Sequence, residues 1–558
     1  MDQANGHPTD GVYGLRLSTV DPASLTTALA QAMFAVARRP QDVAREALAL
    51  AAEETAVALD AARVTLGGDG GELEDGDPRF ADRAWRENPF LRLTRGTYSA
   101  GARSARRLLD GAELPEETHR KARFLLDLWL DAVAPTNVPW LNPTVVKEAV
   151  DTGGLSLARG FSNFLRDVAR NGGLPSQVDR EALVVGRDLA VTPGRVVLQN
   201  ELIELIAYEP QTDTVFAEPI VYSPPWINKY YVLDLAPGRS LIEYAVGKGF
   251  TVFAISWRNP DASMADMTMD DYLRLGWFAA VDRAAELTGA PRVNVLGVCL
   301  GGTLTAIALA VLAARGEAER IGWATLVNTL VDFSDPGDIR VFTDEKTVEK
   351  IERRTAKRGY LKPSELSGPF TWMRANDLVW RYLVSGWYMG KAAPAFDILA
   401  WNDDASRLPA AMHTQYLRSC YVENLLTQPG AFVADGTPMD IGAVATPLYV
   451  LGAENDHIAP WRTTYRTTQL VSGRAHYVLS FSGHIASMVN PPGNPKSWYA
   501  TRDDCPVDAD EWLAGAERQQ GTWWEHWTGW AAERSGERVP PPALPAGEPA
   551  PGRYVLAR

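Results

Sequence analysis

Cysteine is scarce. Cys299, Cys420 and Cys505 are the whole supply in 558 residues. They lie far apart, so they build neither a disulfide framework nor a metal-binding spacing, and such usage fits a reducing compartment. Positive charge is also short. A net charge of -14 argues against general nucleic-acid binding, which calls for a basic face, and leaves room only for a local cationic patch facing an anionic ligand. Long hydrophobic runs are missing as well. The longest, such as 306–314, fall far short of the roughly 20 residues of a membrane span. The opening Met1-Asp2-Gln3-Ala4-Asn5-Gly6 has neither a basic nor an apolar region, so no secretory signal is expected and a cytosolic location is. No metal site is expected.

What is present is apolar content of 46%, enough for a large core. Residues 1–20 read as a flexible tail. Residues 21–190 read as a helical N-terminal domain, with Ala-rich stretches such as 44–52 favouring helix and the glycines around Gly67–Gly71 breaking it. Within it Trp85, Phe90, Phe124, Trp129 and Trp140 are expected to pack between helices. Near Val191 the period changes. The runs 195–198, 202–208, 230–233, 251–257, 293–296 and 323–327 read as strands, several of them separated by helical sequence, which implies a parallel sheet covered by helices on both faces. The alternation stops over 333–440, a stretch rich in aromatics, and resumes with strands at 447–452 and 476–480. The expected architecture is therefore a core over 191–332 and 441–535, a lid insertion over 333–440 and an irregular Pro/Gly/Ala-rich tail over 536–558. Such a lid would exclude water and select the acceptor that reacts.

The chemistry centres on Gly297-Val298-Cys299-Leu300-Gly301-Gly302. It follows an apolar strand and precedes an Ala/Leu-rich helix. A residue held between glycines at such a turn presents its side chain above a sheet, the nucleophile elbow of the α/β-hydrolase fold. Here the nucleophile would be Cys299; the plainer alternative is a buried structural cysteine. A thiol at neutral pH is mostly protonated and needs a base, and the base needs an orienting acid. In this fold the chain order is nucleophile, acid, histidine. Loops after the two resumed strands supply Asp456 and His484. His457 is the rival base, but its ring would have to fold back onto its neighbour's carboxylate. Asp332, after the strand that follows the elbow, is the rival acid. His7, His119, His413, His476 and His526 read as structural or solvated. The oxyanion is expected to be held by the N–H of Leu300 and by a second N–H from the loop Pro224-Pro225-Trp226-Ile227-Asn228, with Ile227 the candidate.

Several stretches then resemble the polyhydroxyalkanoate synthases. They are Pro224-Pro225-Trp226-Ile227-Asn228-Lys229-Tyr230-Tyr231-Val232-Leu233-Asp234, Ser256-Trp257-Arg258-Asn259-Pro260, the Cys299 box, Trp401-Asn402, Asp456-His457-Ile458-Ala459-Pro460-Trp461, and Ser482-Gly483-His484-Ile485 with Asn490-Pro491-Pro492. The resemblance spans about 190–500. It implies the catalytic roles of Cys299, Asp456 and His484, (R)-3-hydroxyacyl-CoA as substrate, CoA as product and a polyester granule as the growing partner. It also implies the self-sufficient single-subunit type, expected as a homodimer in the cytoplasm at the granule surface. No cofactor is expected beyond the CoA thioester substrate. Lys229, Arg258 and Arg381 are candidates for holding the anionic CoA. A cysteine-nucleophile thioesterase or lipase-like hydrolase is the alternative, and an inert granule-coating protein is a third reading.

Overall fold

The computed structural model describes residues 22–71 and 76–557, so the segment expected as a tail, with His7, lies outside it. The chain forms two compact units. One combines the described residues up to Asp179 with Gly368–Pro394; the other takes Arg180–Ser367 and Ala395–Arg558. The stretch expected as one insertion is thus shared: its middle, Gly368–Pro394, lies with the helical unit.

The helical unit contains helices Pro22–Ala37, Pro40–Thr65, Pro89–Asp110, Glu116–Ala132, Pro143–Asp151 and Leu155–Arg170. Asn-Pro pairs start two of them. The side-chain oxygen of Asn88 accepts the N–H groups of Phe90 and Leu91, and that of Asn142 accepts Thr144 and Val145. The following proline occupies the first helical position, where a missing N–H costs nothing. Trp85 is buried, edge-on to Phe80 at 5.0 Å. Phe90, Trp129 and Trp140 are exposed, against the expectation that they pack between helices. Helical spacing groups side chains on one face but does not say which face turns inward.

The larger unit is built on one 10-stranded sheet. Its strands are β1 (Gly194–Gln199), β2 (Ile203–Tyr208), β3 (Ile220–Ser223), β4 (Val252–Trp257), β5 (Val293–Val298), β6 (Ile321–Val327), β7 (Leu448–Ala453), β8 (Ala475–Ser480), β9 (Trp498–Thr501) and β10 (Glu517–Gln520). The order across the sheet is β1-β2-β4-β3-β5-β6-β7-β8-β9-β10. The strands from β4 to β8 in that order are parallel, and the outer pairs at both ends are antiparallel. The parallel strands β3, β4, β5 and β7 are buried at every residue, as strands covered on both faces must be.

Three strands of the sheet differ from the sequence reading: Trp498–Thr501 and Glu517–Gln520 are not anticipated by it, and a third is displaced. Tyr230–Leu233 is a buried 3-10 turn, and the strand is Ile220–Ser223 instead. Pro224 and Pro225 lack the N–H a central strand needs, so β3 stops after four residues and the aromatic run beyond them turns into the core. After Val539 regular structure is sparse, yet the chain is held along the sheet edge. Val196 donates to the Glu548 carbonyl, Ala550 donates to Gly194, and the Glu204 carboxylate accepts the N–H groups of Arg553 and Tyr554.

Candidate active site

β5 ends at Val298 and helix Leu300–Arg315 begins at once, leaving Cys299 to make the turn. Its backbone sits at φ 51°, ψ -118°, a region that costs a residue with a side chain about 1–3 kcal/mol and persists only where the surroundings enforce it. They do. The Cys299 N–H donates to the Val327 carbonyl at 2.9 Å, and its own carbonyl accepts Gly302, Thr303 and the Thr329 hydroxyl. The flanking glycines are a matter of space. A Cβ on Gly297 would lie 2.6 Å from the Gly302 Cα, one on Gly301 would run into the Ser223 carbonyl, and one on Gly302 into the Thr329 hydroxyl. The first turn of the helix can press onto β3 and β6 only without those carbons. The helix itself is buried from Leu300 to Leu312, so its apolar sequence anchors the turn from behind.

Asp456 lies in the loop after β7 and His484 opens the short helix His484–Met488 after β8. Asp456 Oδ1 accepts the N–H groups of Ile458 and Ala459, each at 2.9 Å, and Oδ2 accepts His484 Nδ1 at 2.6 Å. With Nδ1 committed, Nε2 is the nitrogen left for the thiol, and the Cys299 sulfur is near enough to act on the charge of the ring. Burial pushes the His484 imidazolium towards neutrality. The Asp456 carboxylate and the Cys299 sulfur oppose it and win, raising the pKa to about 10. A thiol, an imidazole and a carboxylate thus come from the carboxyl ends of β5, β8 and β7 on one edge of the sheet, a set of groups able to take a proton from sulfur and return it.

The histidine is held by groups that sequence reasoning missed. Asn328, at φ 47° just past β6, donates to the His484 carbonyl (2.6 Å) and to Ser487 Oγ (2.8 Å). The indole N–H groups of Trp523 and Trp524 donate to the carbonyls of Ser487 and Met488, and Trp527 donates to Thr325. Trp523, Trp524 and Trp527 stand close together in the sequence, but nothing local tells that the N–H groups of the first two close the end of the histidine helix.

The rival residues are engaged elsewhere. Asp332 Oδ1 accepts Ser334 and Asn424, and its Oδ2 pairs with Arg466 at 2.9 Å. The Asp456 carboxylate is taken by His484 and two backbone donors. His476 stacks on His526 at 5.1 Å, and burial pushes it down to about 4, as it does His413. His119 meets Asp110 on the helical unit.

Ser223 pairs with Gly297 across β3 and β5, so the loop Pro224–Asn228 leaves the sheet beside the elbow. Trp257 Nε1 donates to the Pro224 carbonyl, and the Ile227 carbonyl accepts Ser406. Leu300, as the first helical residue, has an N–H without an intrahelical acceptor. Three tyrosines lie near enough to the thiol to sense its charge. Burial raises the hydroxyl pKa values of Tyr222, Tyr416 and Tyr421, and the Cys299 sulfur raises them further. The Tyr416 and Tyr421 hydroxyls meet at 3.3 Å, and Trp226 and Phe333 pack on Tyr416. Of the cation candidates, Lys229 is buried and donates to the Ala557 carbonyl, Arg258 pairs with Asp261, and Arg381 is exposed on the helical unit. Among the described residues no cluster of His, Cys, Asp and Glu is arranged to hold a metal ion.

Comparison with known proteins places this geometry in context. Residues 76–245 match the family model described as the poly-beta-hydroxybutyrate polymerase (PhaC) N-terminus, and 228–491 match the alpha/beta hydrolase fold. The chain is 42% identical over 493 residues to the poly(3-hydroxyalkanoate) polymerase subunit PhaC of Cupriavidus necator, covering 86% of this chain and 83% of that one. It is 42% identical to the poly(3-hydroxyalkanoate) polymerase of Methylorubrum extorquens, covering 86% and 80%. To poly(3-hydroxyalkanoate) polymerase 2 of Ectopseudomonas oleovorans it is 39% identical, covering 89% of each. At that identity over that share of its length, the chain belongs to the poly(3-hydroxyalkanoate) polymerase family.

Proposed function

We propose that this polymerase builds polyester from (R)-3-hydroxyacyl-CoA through a covalent thioester on Cys299. The observation that carries the reading is the 2.6 Å bond from Asp456 to His484 Nδ1, which leaves the far side of that ring for a cysteine held at a strained strand-to-helix turn. His484 carries the proton drawn from the Cys299 thiol, in keeping with its raised pKa, while the Cys299 sulfur attacks the thioester carbonyl. The carbon–sulfur bond to CoA breaks, and the CoA sulfur leaves with the proton from His484. The exchange replaces one thioester by another, so the acyl group stays activated. In the second half the hydroxyl of another hydroxyacyl unit attacks the Cys299 thioester, its proton passes to His484, an ester forms and the thiol is restored. Asp456 holds the ring in the tautomer both halves need. The N–H groups of Leu300 and Ile227 serve as donors to the transient oxyanion.

The chain works without a further cofactor, as a homodimer in the cytoplasm at the surface of the granule it extends. Tyr416, Tyr421, Trp226 and Phe333 support the polymerase over a hydrolase, because a dry wall keeps water from competing with the hydroxyl acceptor. The test uses purified protein and (R)-3-hydroxybutyryl-CoA, following CoA thiol release and turbidity together. Insoluble polyester is expected. Soluble hydroxy acid alone would make the chain a thioesterase. Cys299→Ala is expected to lose at least about 10³-fold in rate, and undiminished turnover would remove Cys299 from the mechanism.

A further inference from the structure

Strand β3 ends with Tyr222 and Ser223, which pair with Leu296 and Gly297 of β5, the strand that delivers Cys299. Alternation along a strand sends the two side chains to opposite faces of the sheet. Ser223 Oγ donates to the Gly301 carbonyl at 3.1 Å, towards the helix behind the elbow. Tyr222 therefore takes the other face, in the buried cluster against which Cys299 packs.

Tyr222 is fully buried, and its hydroxyl has no hydrogen-bond partner among the described residues. Burial first, then the charges of the Cys299 sulfur and of Asp234, hold that hydroxyl in its protonated, donating form. Asp234 does not accept from it, because that carboxylate takes the hydroxyls of Thr192, Ser240 and Tyr208. An apolar ring of the same shape would avoid the penalty of an unpaired buried hydroxyl. The same segment buries a second unpaired donor, the Trp226 indole N–H, on a ring packed edge-on to Tyr416 at 5.7 Å. A few polar hydrogens on an otherwise apolar wall are what a binding site keeps to orient its ligand.

We propose that the Tyr222 hydroxyl binds the oxygen on C3 of the acyl group carried by Cys299. The inference rests on the Cys299 thioester proposed for this chain. An acyl group of that class has two oxygens near the sulfur. The N–H groups of Leu300 and Ile227 serve the carbonyl oxygen; the oxygen on C3, two carbons further along, has no donor in that account. A protonated tyrosine fits it in either state, as the free hydroxyl of a monomer or as the ester oxygen of a unit already joined, because both accept. An acyl chain without that oxygen leaves the hydroxyl unpaired, and a site that buries a donor for one substrate oxygen rejects the analogue lacking it. Tyr222 is thus a specificity residue and moves no proton.

The test measures acylation of excess full-length protein by (R)-3-hydroxybutyryl-CoA and by butyryl-CoA, the same chain without the C3 oxygen, as the burst of CoA thiol in a single turnover. Tyr222→Phe is expected to slow the burst from the hydroxy substrate roughly tenfold and to leave that from butyryl-CoA within about twofold of the parent. Its urea midpoint without substrate is expected to equal or exceed that of the parent, since one unpaired buried hydroxyl is gone. A merely structural tyrosine would lower the midpoint and slow both bursts alike. Equal slowing of both, or slowing of neither, would overturn the proposal. The parent tests the same point without any variant: it is expected to take the hydroxy substrate roughly tenfold faster than butyryl-CoA, and equal rates would overturn the proposal too. The two readings fail differently. A burst that survives Cys299→Ala removes the thioester and this contact with it, whereas a Cys299-dependent burst with no difference between substrates removes only the contact.

Discussion

Two helices of 16 residues each, Leu155–Arg170 and Leu300–Arg315, put apolar sequence to opposite uses. The second is apolar all round and buried over most of its length, and its burial holds the cysteine turn in a conformation the backbone would otherwise leave. The first has a clean division of apolar and polar faces, and it turns the apolar one outward. Amphipathicity thus records that a helix has two faces, while the partner on each side decides which one is covered.

The sharpest way to probe the buried side of that comparison is at the group the elbow faces. Asp456→Asn is expected to lower kcat by roughly 10⁴-fold, through the wrong histidine tautomer. It also flattens a pH dependence. His484 has a pKa raised from the ordinary 6.5 to about 10, so the stability its charge contributes is complete below about pH 6.5 and is lost as pH rises through about 10. Urea midpoints of the parent are expected to fall across that window and those of Asp456→Asn to fall less; equal slopes would show that the carboxylate does not hold the proton.

The two helices themselves supply the next contrast. Leu304 is fully buried, and Leu304→Ala is expected to cost about 2–5 kcal/mol. Phe161→Ser on the outward stripe is expected to stay within about 0.5 kcal/mol. Matching losses in denaturant titrations would mean that the outward face is covered after all. The smallest effect belongs to the histidine's support. Trp523→Phe keeps the ring and removes one indole N–H from the Ser487 carbonyl, which is expected to cost on the order of 1 kcal/mol and lower kcat several-fold with KM unchanged.

The elbow and the two loops were legible because each is local: glycines around Cys299, and Asp456 and His484 each following an apolar strand. The fold class followed from the same alternation. What was hidden depended on distant partners. Ile220–Ser223 is too short, and too abruptly ended by Pro224, to stand out as a strand, whereas Tyr230–Leu233 looks like one until the chain is seen to turn. Phe90, Trp129 and Trp140 have core composition and surface positions. Asn328 reads as any polar residue after a strand, and its hold on His484 spans 156 positions.

The hydrogen bonds from Trp523 and Trp524 to the end of the histidine helix have a consequence in time. A chain is made from its first residue onward, so Cys299, Asp456 and His484 are all synthesised before the donors that fix the last of them. A nascent chain ending short of residue 523 carries every reactive group and lacks the clamp on its base. Helix Trp523–Ala532 is therefore made after every reactive group, and the full set of hydrogen bonds around the histidine helix is completed only once it has folded.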